Sequence, residues 1–242
     1  MHDIRFDAIH DEFVVNNPFA QAVLTFRGGA QGEEPPIRII QGPKTQLGDA
    51  SRLTLDPVNN EIYVPGEAGK ILVFPRAGNG DVAPTRIITS PEMRNASSLA
   101  VDPVHNLLIV GSGGGGGGGG RPVAKLLIFD RTANGSTMPR SVIQGPKTGL
   151  TFIAQLEVYP EKGWIIVPQQ GDDASLPEQD GIFVGVWSIN DSGNVAPRWT
   201  LTGPKSTLKK PRGMALDPKH KEIIVADMTL NSVLVYSFPE IF

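Results

Sequence analysis

The 242-residue sequence predicts an all-β chain folded as a β-propeller, with five four-stranded blades visible in it and the outer strand of the last blade missing. Three observations carry this. A hairpin phrase recurs five times in register: "IRFDAIHDEFVV" (4–15), "LTLDPVNNEIYV" (53–64), "LAVDPVHNLLIV" (99–110), "LEVYPEKGWIIV" (156–167) and "MALDPKHKEIIV" (214–225). An apolar third strand with an aromatic residue follows each copy. The 28 glycines and 21 prolines punctuate the chain as short strands joined by turns require.

Each copy reads as an alternating strand, a tight turn, then a β-branched strand. Asp7, Asp56, Asp102, Tyr159 and Asp217 share one position, and proline follows in four of the five. Asp before Pro suits a turn, because the carboxylate accepts hydrogen bonds from its own turn and the proline's fixed φ fits there. The third strands are "QAVLTF", "KILVFP", "KLLIFD", "FVGVWS" and "SVLVYS", placing Phe26, Phe74, Phe129, Trp187 and Tyr236 in register. Fourth strands follow in four units: "PPIRIIQGP" (35–43), "APTRIITSP" (83–91), "MPRSVIQGP" (138–146) and "APRWTLTGP" (196–204). Glycines in the intervening loops supply the positive φ that hairpins require. The units span about 4–52, 53–98, 99–155, 156–213 and 214–242 of a single domain. The phrase recurs because each sheet must bury both faces against its neighbours.

Composition narrows the function. The net charge of −3 comes from interspersed charges, so a polyanion-binding surface is not expected and no nucleic-acid partner is predicted. The only locally basic stretch, "GPKSTLKKPRG" (203–213), reads as a solvated loop. No cysteine is present, which excludes disulfides and thiolate chemistry. No apolar run is long enough for a membrane span, and no signal peptide follows Met1. The sequons at Asn95, Asn134 and Asn190 matter only if the chain is secreted.

The run from Pro211 to Tyr236, with its "GMALDP", "VAD" and Asn231, resembles an NHL-type repeat. The resemblance is clean in the last unit and moderate in the second and third. Ala8 replaces the turn proline in the first unit, and Tyr159 the turn aspartate in the fourth. It implies a propeller fold, within a group that includes binding modules, lyases and lactonase-like enzymes.

Function in a repeat protein sits where the copies diverge. A glycine-rich insertion at 111–120 reads as a flexible linker. An acidic insertion at 168–181 carries Asp172, Asp173, Glu178 and Asp180, a weak candidate for a calcium-type oxygen cluster. Both follow a second strand and should leave the disc on one rim. Lys44, Lys147 and Lys205 recur in "QGPKT", "QGPKT" and "TGPKS" in equivalent inter-blade loops on that face, as a candidate anionic-ligand ring or a solvated repeated turn. Unit five ends after its third strand, leaving Ser232, Val233, Leu234, Val235 and Tyr236 as a candidate assembly edge. That edge has three explanations: a missing N-terminal part completes the ring, as a sixth blade for instance, a neighbouring molecule supplies strands, or the ring tolerates the gap.

No catalytic constellation emerges. His10, His105 and His220 share one turn position, so they radiate rather than converge on a metal. No G-x-S-x-G is present. By the lactonase-like resemblance Asn95, Asp227 and Asn231 are of suitable type for an axial metal, which stays open although no cofactor is expected. The sequence therefore favours a non-catalytic scaffold for protein binding or self-assembly, extracytoplasmic by preference with the cytoplasm left open. The alternatives are a metal-dependent lactonase- or lyase-like enzyme, and a subunit of an extracellular polymer or surface assembly.

Overall fold

A computed structural model describes residues 3–49, 52–113, 124–171 and 181–242. The chain forms a five-bladed β-propeller, and no α-helix occurs among the described residues. Blade 1 contains β1 (Asp3–Asp7), β2 (Glu12–Asn17), β3 (Ala22–Arg27) and β4 (Arg38–Gln41), paired in that order. Blade 2 repeats it with β5 (Thr54–Asp56), β6 (Glu61–Pro65), β7 (Ile71–Pro75) and β8 (Arg86–Thr89). Blade 3 comprises β9 (Ala96–Asp102), β10 (Leu107–Ser112), β11 (Lys125–Asp130) and β13 (Ser141–Ile143), whereas β12 (Gly135–Ser136) pairs with β8 of blade 2. Blade 4 holds β14 (Glu157–Tyr159), β15 (Trp164–Gln170), β16 (Ile182–Ser188) and β17 (Trp199–Leu201). Blade 5 stops at three strands, β18 (Pro211–Asp217), β19 (Glu222–Asp227) and β20 (Ser232–Ser237). The strands β10 and β15 run on to Ser112 and Gln170, entering the segments read as insertions.

The repeated turns define the lower face. Asp7, Asp56, Asp102 and Asp217 each accept a hydrogen bond from the backbone N–H three residues on. Their other oxygens pair with His10 Nδ1, Asn59 Nδ2, His105 Nδ1 and His220 Nδ1 at 2.7–2.8 Å. The histidines thus close their own turns. Tyr159 solves the same problem differently: it packs on Phe242 at 5.2 Å between ring centroids and donates its hydroxyl to Glu161.

Three kinds of contact join consecutive blades. The first is apolar: Val14, Val23 and Ile40 of blade 1 pack on Ile62, Leu72 and Phe74 of blade 2, and equivalent clusters fill the next three junctions. The second is a charge clamp. Glu12 receives Arg38 of its own fourth strand at 2.5 Å and Arg76 of blade 2 at 2.7 Å. One blade on, Glu61 receives Arg86 at 2.5 Å and Arg131 of blade 3 at 2.7 Å, with the Tyr63 hydroxyl at 2.6 Å. The third is a clip at the rim. The loops before β8, β13 and β17 lie parallel to the preceding blade's outermost strand, through Gly80 on β4, Gly135 on β8 and Gly193 on β13.

The clamp has a pH signature. Burial alone would raise the Glu12 and Glu61 carboxyls; hydrogen bonds from Arg38 and Arg76, and from Tyr63 and Arg86, outweigh it and hold both below the ordinary 4.5. A carboxyl depressed in the folded state stabilises it above the unfolded value, and that contribution disappears as pH falls through the folded value. Glu12→Gln and Glu61→Gln should therefore lower the melting temperature at neutral pH, with the gap to the parent chain closing below pH 4.5. A gap unchanged from neutral to strongly acidic pH would contradict the clamp.

Candidate functional site

The other four junctions each have the apolar contact, the first two the clamp and the first three the clip; among the described residues the junction between blade 5 and blade 1 has none of them. The side chain three residues before the turn aspartate is Leu53, Leu99, Leu156 and Met214 in blades 2 to 5, at most 5% exposed, yet its blade 1 equivalent Ile4 is 59% exposed. The same reversal marks the opposite face of blade 5. Val23, Ile71, Leu126 and Val184 are at most 1% exposed, whereas Val233 in that register is 66% exposed. Likewise Thr25, Val73, Ile128 and Val186 are buried, and Val235 is 56% exposed. Phe6 is exposed, and its ring packs on Phe13 of its own blade at 4.9 Å. Two apolar sheet faces, each built to meet a neighbour, thus stand open towards each other.

The seam is held ajar near the axis by polar ties that bypass it. Arg5 of β1 reaches across to Glu157 of blade 4 at 2.5 Å. Gln155 bonds both the N–H and the carbonyl of Met214, fixing β18 to blade 4. Between β1 and blade 5 lies a cavity of about 700 Å³, lined by Asp3, Ile4 and Val15 on one side and Gly213 and Ala226 on the other. A second, of about 660 Å³, is bordered by Ile4 and Phe6 of blade 1, Val104 of blade 3, Val158 of blade 4 and Ala215 and Leu216 of blade 5.

The outer edge of blade 5 is open as well. In the complete blades the carbonyls of Thr25, Val73, Ile128 and Val186 accept from the N–H of Ile37, Thr85, Arg140 and Arg198, just before the fourth strand. Val235 occupies that register in β20, and among the described residues no strand pairs with the outer side of β20. The chain after β20 turns away: Phe238 and Ile241 are buried against Tyr159 of blade 4, and Trp164 and Trp199 pack on that cluster. The predicted assembly edge, Ser232 to Tyr236, is this strand.

The other candidates do not converge. Lys44, Lys147 and Lys205 are exposed, each in a short 3-10 turn (Pro43–Thr45, Pro146–Thr148, Pro204–Ser206) of a different inter-blade loop. The motif recurs for backbone reasons. Its glycines sit at φ +131°, +122° and +86°, and Thr45, Thr148 and Ser206 donate their hydroxyls to those glycine carbonyls. A Cβ at Gly42 would lie 2.6 Å from Asp81, and one at Gly145 2.6 Å from Asn194, the side chains that accept the Lys44 and Lys147 N–H groups. Asp172, Asp173, Glu178 and Asp180 lie outside the described residues. Asn95 accepts the N–H of Gly113, and Asp227 accepts four N–H groups, from Lys209, Lys210, Thr229 and Leu230. Among the described residues no three His, Asp or Glu side chains come together as a metal-binding group. Among the described residues no helix is long and apolar enough to cross a membrane.

No protein-family model and no curated protein matches the chain. Solved structures do. A chain in the crystal structure of the mitotic checkpoint complex superposes with a TM-score of 0.62 at 11% identity, over 94% of this chain and 59% of that one. A chain of Kuenenia stuttgartiensis hydrazine synthase superposes with a TM-score of 0.63 at 11% identity, over 92% of this chain and 54% of that one. At that identity the likeness shows the propeller fold alone. This chain spans little more than half the length of either match.

Proposed function

We propose that this propeller is a non-catalytic scaffold that engages another protein through the open seam, the faces of blades 5 and 1 and the edge of β20 forming one surface. The observation that carries this is the in-register reversal of exposure at Ile4, Val233 and Val235, positions that the other blades bury. An apolar sheet face and an unpaired strand edge are both surfaces that recruit polypeptide. A structural neighbour belonging to a multi-protein checkpoint complex is consistent with that use of the fold.

The two faces belong to different blades, so association between copies through them would be head-to-tail, blade 5 of one against blade 1 of the next. Sedimentation velocity across the micromolar range should show mass rising with concentration, and Val233→Asp with Val235→Asp should abolish the rise. A monomer at every concentration would remove self-assembly as the scaffold's mode of action.

A further inference from the structure

Comparison of the blades points to the chemistry of the strand that fills the β20 edge. In each complete blade the first residue of the second strand lies diagonally across the third strand from the first residue of the fourth, offset by two positions. Blades 1 and 2 pair Glu12 with Arg38 and Glu61 with Arg86. Blade 3 has neutral residues, Leu107 and Ser141, at these positions, and blade 4 pairs Trp164 with Trp199 at 5.0 Å. The identity of the second-strand residue thus tracks that of its fourth-strand partner, ion with ion and ring with ring.

In blade 5 the second-strand residue is Glu222, opposite Ser237 in β20 and only partly exposed. Its blade has no fourth strand, and among the described residues no Arg or Lys reaches it as Arg38 and Arg76 reach Glu12. The charged neighbour that senses it is His220 of its own turn, whose pKa it helps to raise after the larger effects of Asp217. The register of the neighbouring blades then specifies the missing partner. Arg86 lies opposite Val73, Ile87 opposite Leu72 and Ile88 opposite Ile71, while the Thr85 N–H bonds the Val73 carbonyl. Transposed onto β20, an arginine lies opposite Val235 and reaches Glu222, two apolar residues lie opposite Leu234 and Val233, and the residue before the arginine donates to the Val235 carbonyl.

We infer that the β20 edge binds an extended Arg-apolar-apolar segment of a partner chain, added antiparallel as the fourth strand of blade 5 with its arginine on Glu222. This rests on the seam being the binding surface. It selects among partners, because an apolar strand without the arginine would leave Glu222 unpaired and partly desolvated. The two such segments among the described residues, Arg38–Gln41 and Arg86–Thr89, are already committed to blades 1 and 2.

A fluorescent peptide copying residues 83–91 (APTRIITSP) tests the inference by anisotropy titration against the intact protein. It should bind saturably, and more weakly by about tenfold or more to Glu222→Arg. The peptide carrying Arg86→Glu should fail on the parent protein and recover on Glu222→Arg. Glu222→Gln, which keeps the side chain's shape, should weaken binding in the same direction and guards against a folding defect in the reversal. No binding, or equal binding of both peptides to both proteins, would overturn the inference. Should the concentration-dependent mass and its loss in the Val233/Val235 variant persist in that case, the seam would stand as a binding surface and only its strand chemistry would fall.

Discussion

Truncating Ile71 or Leu126 to alanine should lower the unfolding free energy by about 2–5 kcal/mol, whereas Val233→Ala should change it by less than about 0.5 kcal/mol. All three occupy one register, the third-strand residue that faces the following blade. Ile71 and Leu126 are fully enclosed by the next sheet, so truncation removes transfer free energy and leaves a cavity that a wedged sheet cannot collapse. Val233 has no following sheet, and alanine there leaves nothing unfilled. Urea unfolding of the three variants measures the contrast. A cost at Val233 equal to that at Leu126 would mean that the last blade is covered in solution.

The second large effect concerns the clamp. Glu61→Ala should cost about 3 kcal/mol, since it removes the carboxylate shared by Arg86 and Arg131 in a pocket where their side chains are only 16% and 13% exposed, leaving Arg131 with Asp56 at 3.5 Å and Arg86 with backbone carbonyls. The Tyr63 hydroxyl loses its 2.6 Å acceptor in the same change and keeps the Arg131 carbonyl at 3.4 Å. The figure sits at the low end for a broken buried pair because water still reaches the site. Glu222→Ala, in the equivalent position of blade 5, should cost no more than about 0.5 kcal/mol, as an unclamped carboxylate would. Equal losses at Glu61 and Glu222 would show that Glu222 is clamped after all.

Much of the fold could be read in the chain because its determinants are local and repeated. Alternation places the strands, and the turn Asp takes its backbone bonds within three residues, so phrase and hairpin coincide. The third-strand aromatics mark the blade interior, with Phe74, Phe129 and Trp187 fully buried, while Phe26 and Tyr236 remain part-exposed in the end blades. The missing fourth strand of blade 5 was visible for the same reason. What escaped is non-local. The recurring lysines drew attention, yet the "GPK" turns exist for backbone contacts to Asp81 and Asn194, 37 and 47 residues further on. Gly80, Gly135 and Gly193 looked like hairpin glycines; they do hold positive φ, but what they build is the rim clip between blades.

The proposed binding surface was half legible. The β20 edge followed from counting strands, whereas the exposed face of blade 1 required knowing that Ile4 and Phe6 stand where other blades hold Leu53 and Leu55 against a neighbour. The signal for the clamp was present: Glu12 and Glu61 precede Arg38 and Arg86 by 26 and 25 residues, at fixed places in the repeat. Aligning the fourth strands with the second strands, rather than with each other, would have exposed it and with it the odd position of Glu222.

Because the chain contains no cysteine, single thiols report the seam without interference. Ile4→Cys and Val233→Cys, with Leu53→Cys and Val184→Cys as their in-register counterparts, can be labelled with a thiol reagent under native conditions at a protein concentration too low for association. An open seam predicts that the first pair reacts at the rate of an unfolded-chain thiol, and that the second reacts orders of magnitude more slowly, only through local opening. If Ile4→Cys and Val233→Cys react as slowly as Leu53→Cys and Val184→Cys, the two end blades meet each other and no open binding surface exists.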